Sequence, residues 1–232
     1  MSAPALATAS VSVVIPTLDE AAHIVACLES VAVQPDRVEA IVVDGGSADD
    51  TPAIAEAAGA MVLRASRGRG TQLNAGARAA SGDVLLFLHA DTVLHPGALA
   101  GVGAAFADER VVGGTFTLCF DRKAALLRFY ARCTRLPFRI FHYGDQGIFV
   151  RRATFDALGG FREWPLMEDV DFLARLHDAG RTVIVPLPVI TSARRFARHG
   201  IVRQQIRNAA FVLLFHLGVA PVRLAAWYGK GR

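Results

Sequence analysis

Apolar and polar positions change period several times over the first 92 residues. Val11 to Ile15 is a solid apolar run that Pro16 should stop. Ile24, Cys27, Leu28 and Val31 then fall at i, i+3, i+4 and i+7, the spacing of one helix face. Thr17 or Asp19 can cap such a helix from about Glu20. A second apolar run, Ala40 to Val43, ends at Asp44-Gly45-Gly46-Ser47. Asp49 and Asp50 before Thr51-Pro52 open another helix, with proline at its first position, and Gly59 closes it. Ala60 to Leu63 is a third strand. Gly68 and Gly70 lead into a helix through Leu73 and Ala77 that closes near Gly82, and Val84 to Leu88 is a fourth strand. Short apolar runs that do not alternate are buried on both faces. Strands that alternate with helices in this way predict an α/β fold with a parallel, doubly wound sheet.

The second half is mixed. Leu99, Val102 and Phe106 mark a helix face after Pro96, and Val111 to Phe120 is a long strand. Lys123 to Arg135 reads as a helix exposing Arg128, Arg132 and Arg135. Gly144 to Gly147 is a loop, Ile148 to Val150 a strand, and Phe155 and Leu158 sit on a short helix closed by Gly159-Gly160. Glu168-Asp169 opens a helix that buries Phe172, Leu173 and Leu176 and ends at Gly180. Thr182 to Val185 is the last strand, and Ile201 to Leu217 an amphipathic helix. The expected organisation is a loose tail over 1–10, one α/β domain over 11–200 and a helical extension over 201–232.

The strand ends carry the polar residues: Asp19 and Glu20, Asp44, Arg67 and Arg69, His89 and Asp91. Ligands of open α/β sheets bind at the carboxyl ends of strands, so this edge predicts a nucleotide site. Asp91 either opens a turn before Pro96 or holds a cation against phosphate oxygens. Asp44 either shapes a turn with its two glycines or accepts a hydrogen bond from a base. Gly68-Arg69-Gly70 is an incomplete dinucleotide fingerprint, because position 73 is Leu and no acidic residue follows at the required strand end. A dinucleotide fold is therefore rejected, while the two arginines remain phosphate contacts. Glu168, Asp169 and Asp171 put three carboxylates in one helical turn. That exceeds what a helix dipole needs, and mutual repulsion should raise a pKa, as in a general base. Arg194, Arg195 and His199 read by themselves as a solvated face.

Composition narrows the classes. The chain has 232 residues, 53% of them hydrophobic, enough for a substantial core. No apolar run approaches the roughly 18 residues a spanning helix needs. The first ten residues lack the basic region of a signal peptide. Three well-separated cysteines, Cys27, Cys119 and Cys133, show no metal spacing and suit reduced thiols in a cytoplasmic protein. Net charge is a modest +4, but no acidic residue follows Asp178. That asymmetry predicts an anionic partner: a diphosphate, a membrane surface or nucleic acid. Nucleic acid is disfavoured, since the basic tail lacks interleaved aromatics and a known motif.

With these residues in hand, the chain resembles a family 2 glycosyltransferase of the GT-A fold over about Val11 to His199. The matching segments are Val13 to Glu20, Val42 to Thr51, Gly82 through Asp91, Gly159-Gly160-Phe161 and Glu168-Asp169. Within that family it is most similar to a short bacterial subgroup with His-Ala-Asp at the metal motif, Gly-Asp-Gln-Gly and Thr-Ser-Ala-Arg-Arg, some relatives being linked to carotenoid glycosylation. The resemblance implies a nucleotide-diphosphate-sugar donor, a divalent metal (Mg²⁺ or Mn²⁺) and inversion at the anomeric carbon. It implies that Pro16, Leu18 and Glu20 line the nucleotide pocket, that Asp44 meets the base, and that Asp91 binds the metal. Asp169, with Glu168 beside it, matches the catalytic base. His89 replaces the first acid of the metal motif, which leaves it for ribose or phosphate. Arg194 and Arg195 then suit diphosphate oxygens and His199 a third metal ligand. The acceptor is a hydroxyl compound, with lipids or carotenoid-like molecules among the candidates. The basic C-terminal helix suits either a closing role on the core or attachment to the inner face of a membrane. Two rival functions are nucleotidyl transfer, which wants a basic phosphate loop where Pro16 to Glu20 is acidic, and a non-catalytic nucleotide-sugar sensor, which has no use for Asp169.

Overall fold

The apolar runs pair as the core of one sheet. In the computed structural model, which describes residues 10–34, 38–136 and 143–229, β1 (Val11–Thr17) lies between β2 (Val38–Asp44) and β4 (Val84–Phe87), parallel to both. The strand β3 (Met61–Arg64) extends the parallel set beyond β2. The helices between them are α1 (Ile24–Ala32), α2 (Thr51–Ala57) and α3 (Arg69–Ala79). The second half adds β5 (Thr92–Val93), α4 (Ala98–Ala105), β6 (Val111–Phe120), α5 (Ala125–Cys133), β7 (Ile148–Arg151), α6 (Arg152–Ala157), α7 (Glu168–Ala179) and β8 (Arg181–Thr191). Three helices close the chain: α8 (Arg194–His199), α9 (Ile201–His216) and α10 (Pro221–Gly229). Among the described residues the eight strands form one sheet in the order β3-β2-β1-β4-β7-β6-β8-β5. Only β7 and β5 run against their neighbours. The tail expected over 1–10 lies outside the described residues except for Ser10.

Three local expectations are corrected. Pro16 does not end β1, which runs on to Thr17. Val14 bonds toward β4 and Thr17 toward the β2 side, so the missing N–H of Pro16 faces the β4 side, where pairing has already stopped at Val14 and Phe87. The helix after it starts at Ile24 rather than Glu20, because Asp19 instead holds the next loop, accepting from the Ala48 N–H at 2.7 Å. Finally, β8 continues six residues past Val185, to Thr191. A register shift lets Val185 pair with Phe116 and Pro188 with Thr117, so the bulge absorbs Pro186 and Leu187.

Alternation on β1 divides the core. Val13 and Ile15 face the layer containing Ile24, Cys27, Leu28 and Val31 of α1. Val14 faces the layer containing Leu73 and Ala77 of α3 and Phe172 of α7. Phe161 joins that second layer, 4.8 Å from the Phe87 ring and 4.3 Å from the Phe172 ring. Asn74 of α3 clamps the Phe161 backbone through two hydrogen bonds of 2.9 Å. Arg175 of α7 donates to the Leu158 and Gly160 carbonyls, each at 2.8 Å. These contacts fix α3 and α7 side by side, and both helices begin at the sheet edge where the polar residues gather.

The close approach of α3 to the sheet depends on Gly76. A Cβ there would lie 2.3 Å from Val14 Cγ1 and 2.9 Å from Val43 Cγ2. Gly76→Ala should therefore overpack the core and cost about 1–3 kcal/mol of stability. The check is a urea titration, in which an unchanged midpoint would show that the helix can lift without cost.

Candidate active site

Four loops meet at the carboxyl ends of the parallel strands. The loop after β2 is built on Asp44, which is 2% exposed. Its carboxylate accepts from the Gly46 N–H at 2.9 Å, the Ser47 N–H at 3.1 Å and the Ser47 hydroxyl at 2.5 Å. Asp44 thus performs the turn role in full. The loop after β1 crosses it: Glu20 N–H donates to the Thr51 hydroxyl at 2.8 Å. Gln72 of α3 joins the two loops from below, donating to the Thr17 and Val43 carbonyls at 2.9 and 2.8 Å. Pro16 and Leu18 are half-buried here, and Arg67 is exposed.

The loop after β4 carries His89 and Asp91. Arg194, from the start of α8, forms an ion pair with Asp91 Oδ2 at 3.1 Å and a closer one with Glu20. One guanidinium therefore bridges the β1 and β4 loops. The short β5 explains how a residue so distant in sequence arrives there. Thr92 pairs with Thr191, their hydroxyls 3.0 Å apart, and Ser192 N–H donates to the Asp91 carbonyl at 3.1 Å. On the other side, Arg69 Nη1 lies 3.3 Å from His89 Nε2. Burial, then the Arg69 charge, pushes the His89 imidazole down to about 4, so it is neutral near pH 7.

The carboxylates of α7 complete the edge. Met167 precedes them with φ 69°, a left-handed conformation rare for a side-chain-bearing residue. Glu168 is 1% exposed and pairs with Arg69 Nε at 2.8 Å. Burial is the first cause of its raised pKa, opposed by Arg69, whereas repulsion from Asp169 contributes less. Asp171 turns away to Arg175 at 2.8 Å. The crowding expected of the three acids is thus relieved, two of them by separate arginines. Asp169 faces the site and is held by the Gly144 N–H at 2.9 Å. A Cβ on Gly144 would lie 2.8 Å from Asp169 Oδ2, so only glycine permits this approach.

Asp145, the next residue, belongs to the Gly-Asp-Gln-Gly loop, to which the sequence pattern assigns no individual role. Its Oδ1 is buried with no hydrogen-bond partner among the described residues. Burial pushes this carboxyl up to about 7; Asp169 and Asp91 add to the effect, and Arg195 and Arg69 oppose it. The Gly-Asp-Gln-Gly spacing was the available signal, but burial of the side chain is a tertiary fact.

Arg69, His89, Asp91, Asp145, Asp169 and Arg195 line one polar end of a cavity of about 520 Å³. Its remaining walls are mainly apolar and aromatic: Phe120, Leu127 and Tyr130 from β6 and α5, and Phe211 and Val212 from α9. A cluster of Met167, Val212 and Leu224 fastens α9 and α10 over this space. Glu168 and Arg194 support the cavity from behind. His199 ends α8 half-buried and does not line it. Among the described residues no three His, Cys, Asp or Glu side chains form a metal-holding group. Asp91 does hold a positive charge here, that of Arg194. A lone carboxylate of this kind fits a divalent ion whose shell is completed by substrate phosphates.

A sheet of this order, with acids and arginines at its strand ends and a cavity beside them, defines a GT-A transferase architecture. The chain belongs to glycosyl transferase family 2, whose model matches residues 12–157. It is a glycosyltransferase. The match stops before Glu168-Asp169. A PGL/p-HBAD biosynthesis glycosyltransferase of Mycobacterium tuberculosis is 32% identical over 177 residues, which is 71% of this chain and 68% of that protein. S. aureus TarS, solved with UDP-GlcNAc, superposes with a TM-score of 0.66 at 18% identity, covering 79% of this chain and 58% of that one. The mannosyltransferase PcManGT from Pyrobaculum calidifontis, solved with GDP-Man and Mn²⁺, gives 0.66 at 23% identity over 92% of this chain and 66% of that one. Glucosyl-3-phosphoglycerate synthase from Mycobacterium tuberculosis, solved with phosphoglyceric acid, gives 0.60 at 26% identity over 79% and 72%.

The buried carboxyl of Asp145 makes stability depend on pH. Its folded pKa, about 7, lies above the unfolded value. The folded state thus binds more protons between about pH 4 and 7, and this group's contribution falls as pH rises through that window. Asp145→Asn should raise the melting temperature at pH 8 and change it little at pH 4. A variant that is less stable than the parent at pH 8 would show that the ionised carboxylate is paired.

Proposed function

We propose that the protein moves a sugar, with inversion, from a nucleotide-diphosphate-sugar to the hydroxyl of an acceptor with a large apolar body. The carrying observation is the division of one cavity into a polar end, with Asp91 and Asp169, and apolar walls. The nucleotide is assigned to the β1 and β2 loops, with Pro16, Leu18 and Glu20 beside it and Asp44 shaping the loop that meets the base. The diphosphate is assigned to Arg69, Arg194 and Arg195, with Arg67 and His89 nearby. Arginine forks match phosphate geometry, and neutral His89 offers a hydrogen bond without adding charge. The structures solved with nucleotide sugars, one of them with Mn²⁺, share this fold and support the donor class.

The chemistry then follows from charge. Asp169 takes the proton of the acceptor hydroxyl as its oxygen bonds to the anomeric carbon. The bond from that carbon to the diphosphate breaks on the opposite face, and the electron pair leaves with the phosphate. Negative charge grows at the arginine end, where fixed positive charge stabilises it. A divalent ion on Asp91, Mg²⁺ or Mn²⁺, would supply further charge to the leaving group. Asp145, whose carboxyl is pushed up to about 7, can donate a hydrogen bond to the sugar or acceptor in its protonated form, which dominates below that pH. Glu168 keeps Arg69 in place. The apolar walls exclude water from the transfer and favour an acceptor that is lipid-like or otherwise hydrophobic.

A thermal-shift screen of UDP, GDP and their sugars, with and without Mn²⁺ or Mg²⁺, tests the donor assignment. A ligand at 100 times its Kd should add about 2.7 kcal/mol. No shift with any of them would overturn the donor class. In the same assay Asp91→Asn should abolish the metal-dependent part of the shift; an unchanged metal dependence would remove Asp91 from that role. Asp169→Asn should keep the donor shift and lower transfer by about 10²–10⁴-fold, the usual general-base contribution. Transfer within about threefold of the parent would assign the base elsewhere.

A further inference from the structure

The helix α9 carries apolar residues on both its inward and its outward side. Inward, Val212 packs with Met167 and Leu224, beside polar groups. Gln204 is 3% exposed and donates to Asn208 Oδ1 at 2.7 Å. Arg207 lies over the Tyr228 ring, 4.0 Å from its centroid, and donates to the Tyr228 carbonyl at 3.2 Å. Its outward side is a stripe of Val202, Ile206, Leu213 and Leu217, between 58% and 71% exposed. These positions share one helix face. The next helix adds exposed Val222 and Trp227, and α5 adds exposed Leu126 and Phe129. Leu126, Phe129 and Leu213 also line the cavity, so the apolar surface runs into its mouth. Exposed apolar residues grouped around a cavity in this way mark an interaction site.

Charge identifies the occupant. Neither α5 nor any residue after Asp178 is acidic. Arg128 and Arg132 on α5, Arg198 on α8, Arg203 on α9 and Arg223 on α10 are all exposed. A symmetric contact with a second copy would bring this basic rim against itself. A nucleic acid would leave the apolar stripe without a partner. A bilayer with anionic headgroups satisfies both, taking the stripe into its acyl boundary and the arginines at its surface. Among the described residues no helix is long and apolar enough to cross a membrane, so the helices would lie on it.

We propose that α5, α9 and α10 dock the protein on an anionic membrane surface with the cavity mouth facing the lipid. This deepens the reading of the cavity as the acceptor site, since a hydrophobic acceptor would then enter directly from the bilayer. Attachment is nevertheless tested without transfer.

The experiment is co-sedimentation of the full chain with phosphatidylcholine vesicles and with vesicles of equal phosphatidylcholine and phosphatidylglycerol. Binding is expected to the anionic vesicles. It should weaken as salt rises from about 0.01 to 0.15 M and the screening length falls from ~30 to ~8 Å. The triple variant Val202→Gln, Ile206→Gln, Leu217→Gln changes exposed residues that do not line the cavity. It should lose vesicle binding by about tenfold or more while its thermal shift with nucleotide is unchanged. Parent protein that stays in the supernatant at low salt overturns the proposal, as does a triple variant that sediments like the parent. Sedimentation velocity covers the second copy: a parent dimer that the triple variant converts to monomer overturns membrane docking. A lost nucleotide shift in the parent, with vesicle binding intact, would instead strike the donor assignment alone.

Discussion

The site depends on one guanidinium held between two carboxylates. Arg194 reaches Glu20 on the β1 loop and Asp91 on the β4 loop. Without a cation between them, two like charges would face each other in partly desolvated surroundings. Strand ends invite this problem, because a parallel sheet delivers its loops, and whatever acids they carry, to one edge. The chain answers with arginines from elsewhere: Arg194 from behind β8 and Arg69 from the start of α3, the latter on buried Glu168. In the proposed reading the same cations that balance the carboxylates also meet the diphosphate, so that structural need and catalytic use would coincide there.

The second constraint is dehydration. Helices from the end of the chain close over the polar edge and convert an open cleft into a cavity with apolar walls. Burial then acts on the acids unequally. It pushes Asp145 up to about 7 and His89 down to about 4, so near pH 7 the imidazole is neutral and the Asp145 carboxyl is poised between its two protonation states. Asp169 keeps two backbone donors, the Gly144 N–H and its neighbour's at Val170, each at 2.9 Å. These bonds fix the orientation of the Asp169 side chain, whereas the Asp145 Oδ1 is left dry.

The C-terminal helices depart from the ordinary arrangement of a surface helix. Gln204 is buried among the inward residues, and an aliphatic stripe looks out. The apolar residues of α9 alone allow either a helix packed on the core or one laid on a membrane, since periodicity reports a face but not its direction. In the fold, Val212 and Leu224 take the core role instead.

Local pattern determined the α/β alternation, the strand-end placement of Glu20, Asp44, His89 and Asp91, and the helix starting at Glu168. Runs buried on both faces and helix-face spacing are properties of short segments, so these were legible. Pro16 misled because proline's cost depends on which neighbour its missing N–H would have met, and only strand pairing shows that. The β5–β8 pairing that delivers Arg194 to Asp91 joins residues about a hundred positions apart and has no local mark. The buried carboxyl of Asp145 was equally invisible: desolvation is set by what packs around a side chain, not by its neighbours in the chain. Sequence supplied the acids and arginines, and tertiary packing decided which of them are paired, which are dry, and which face a cavity.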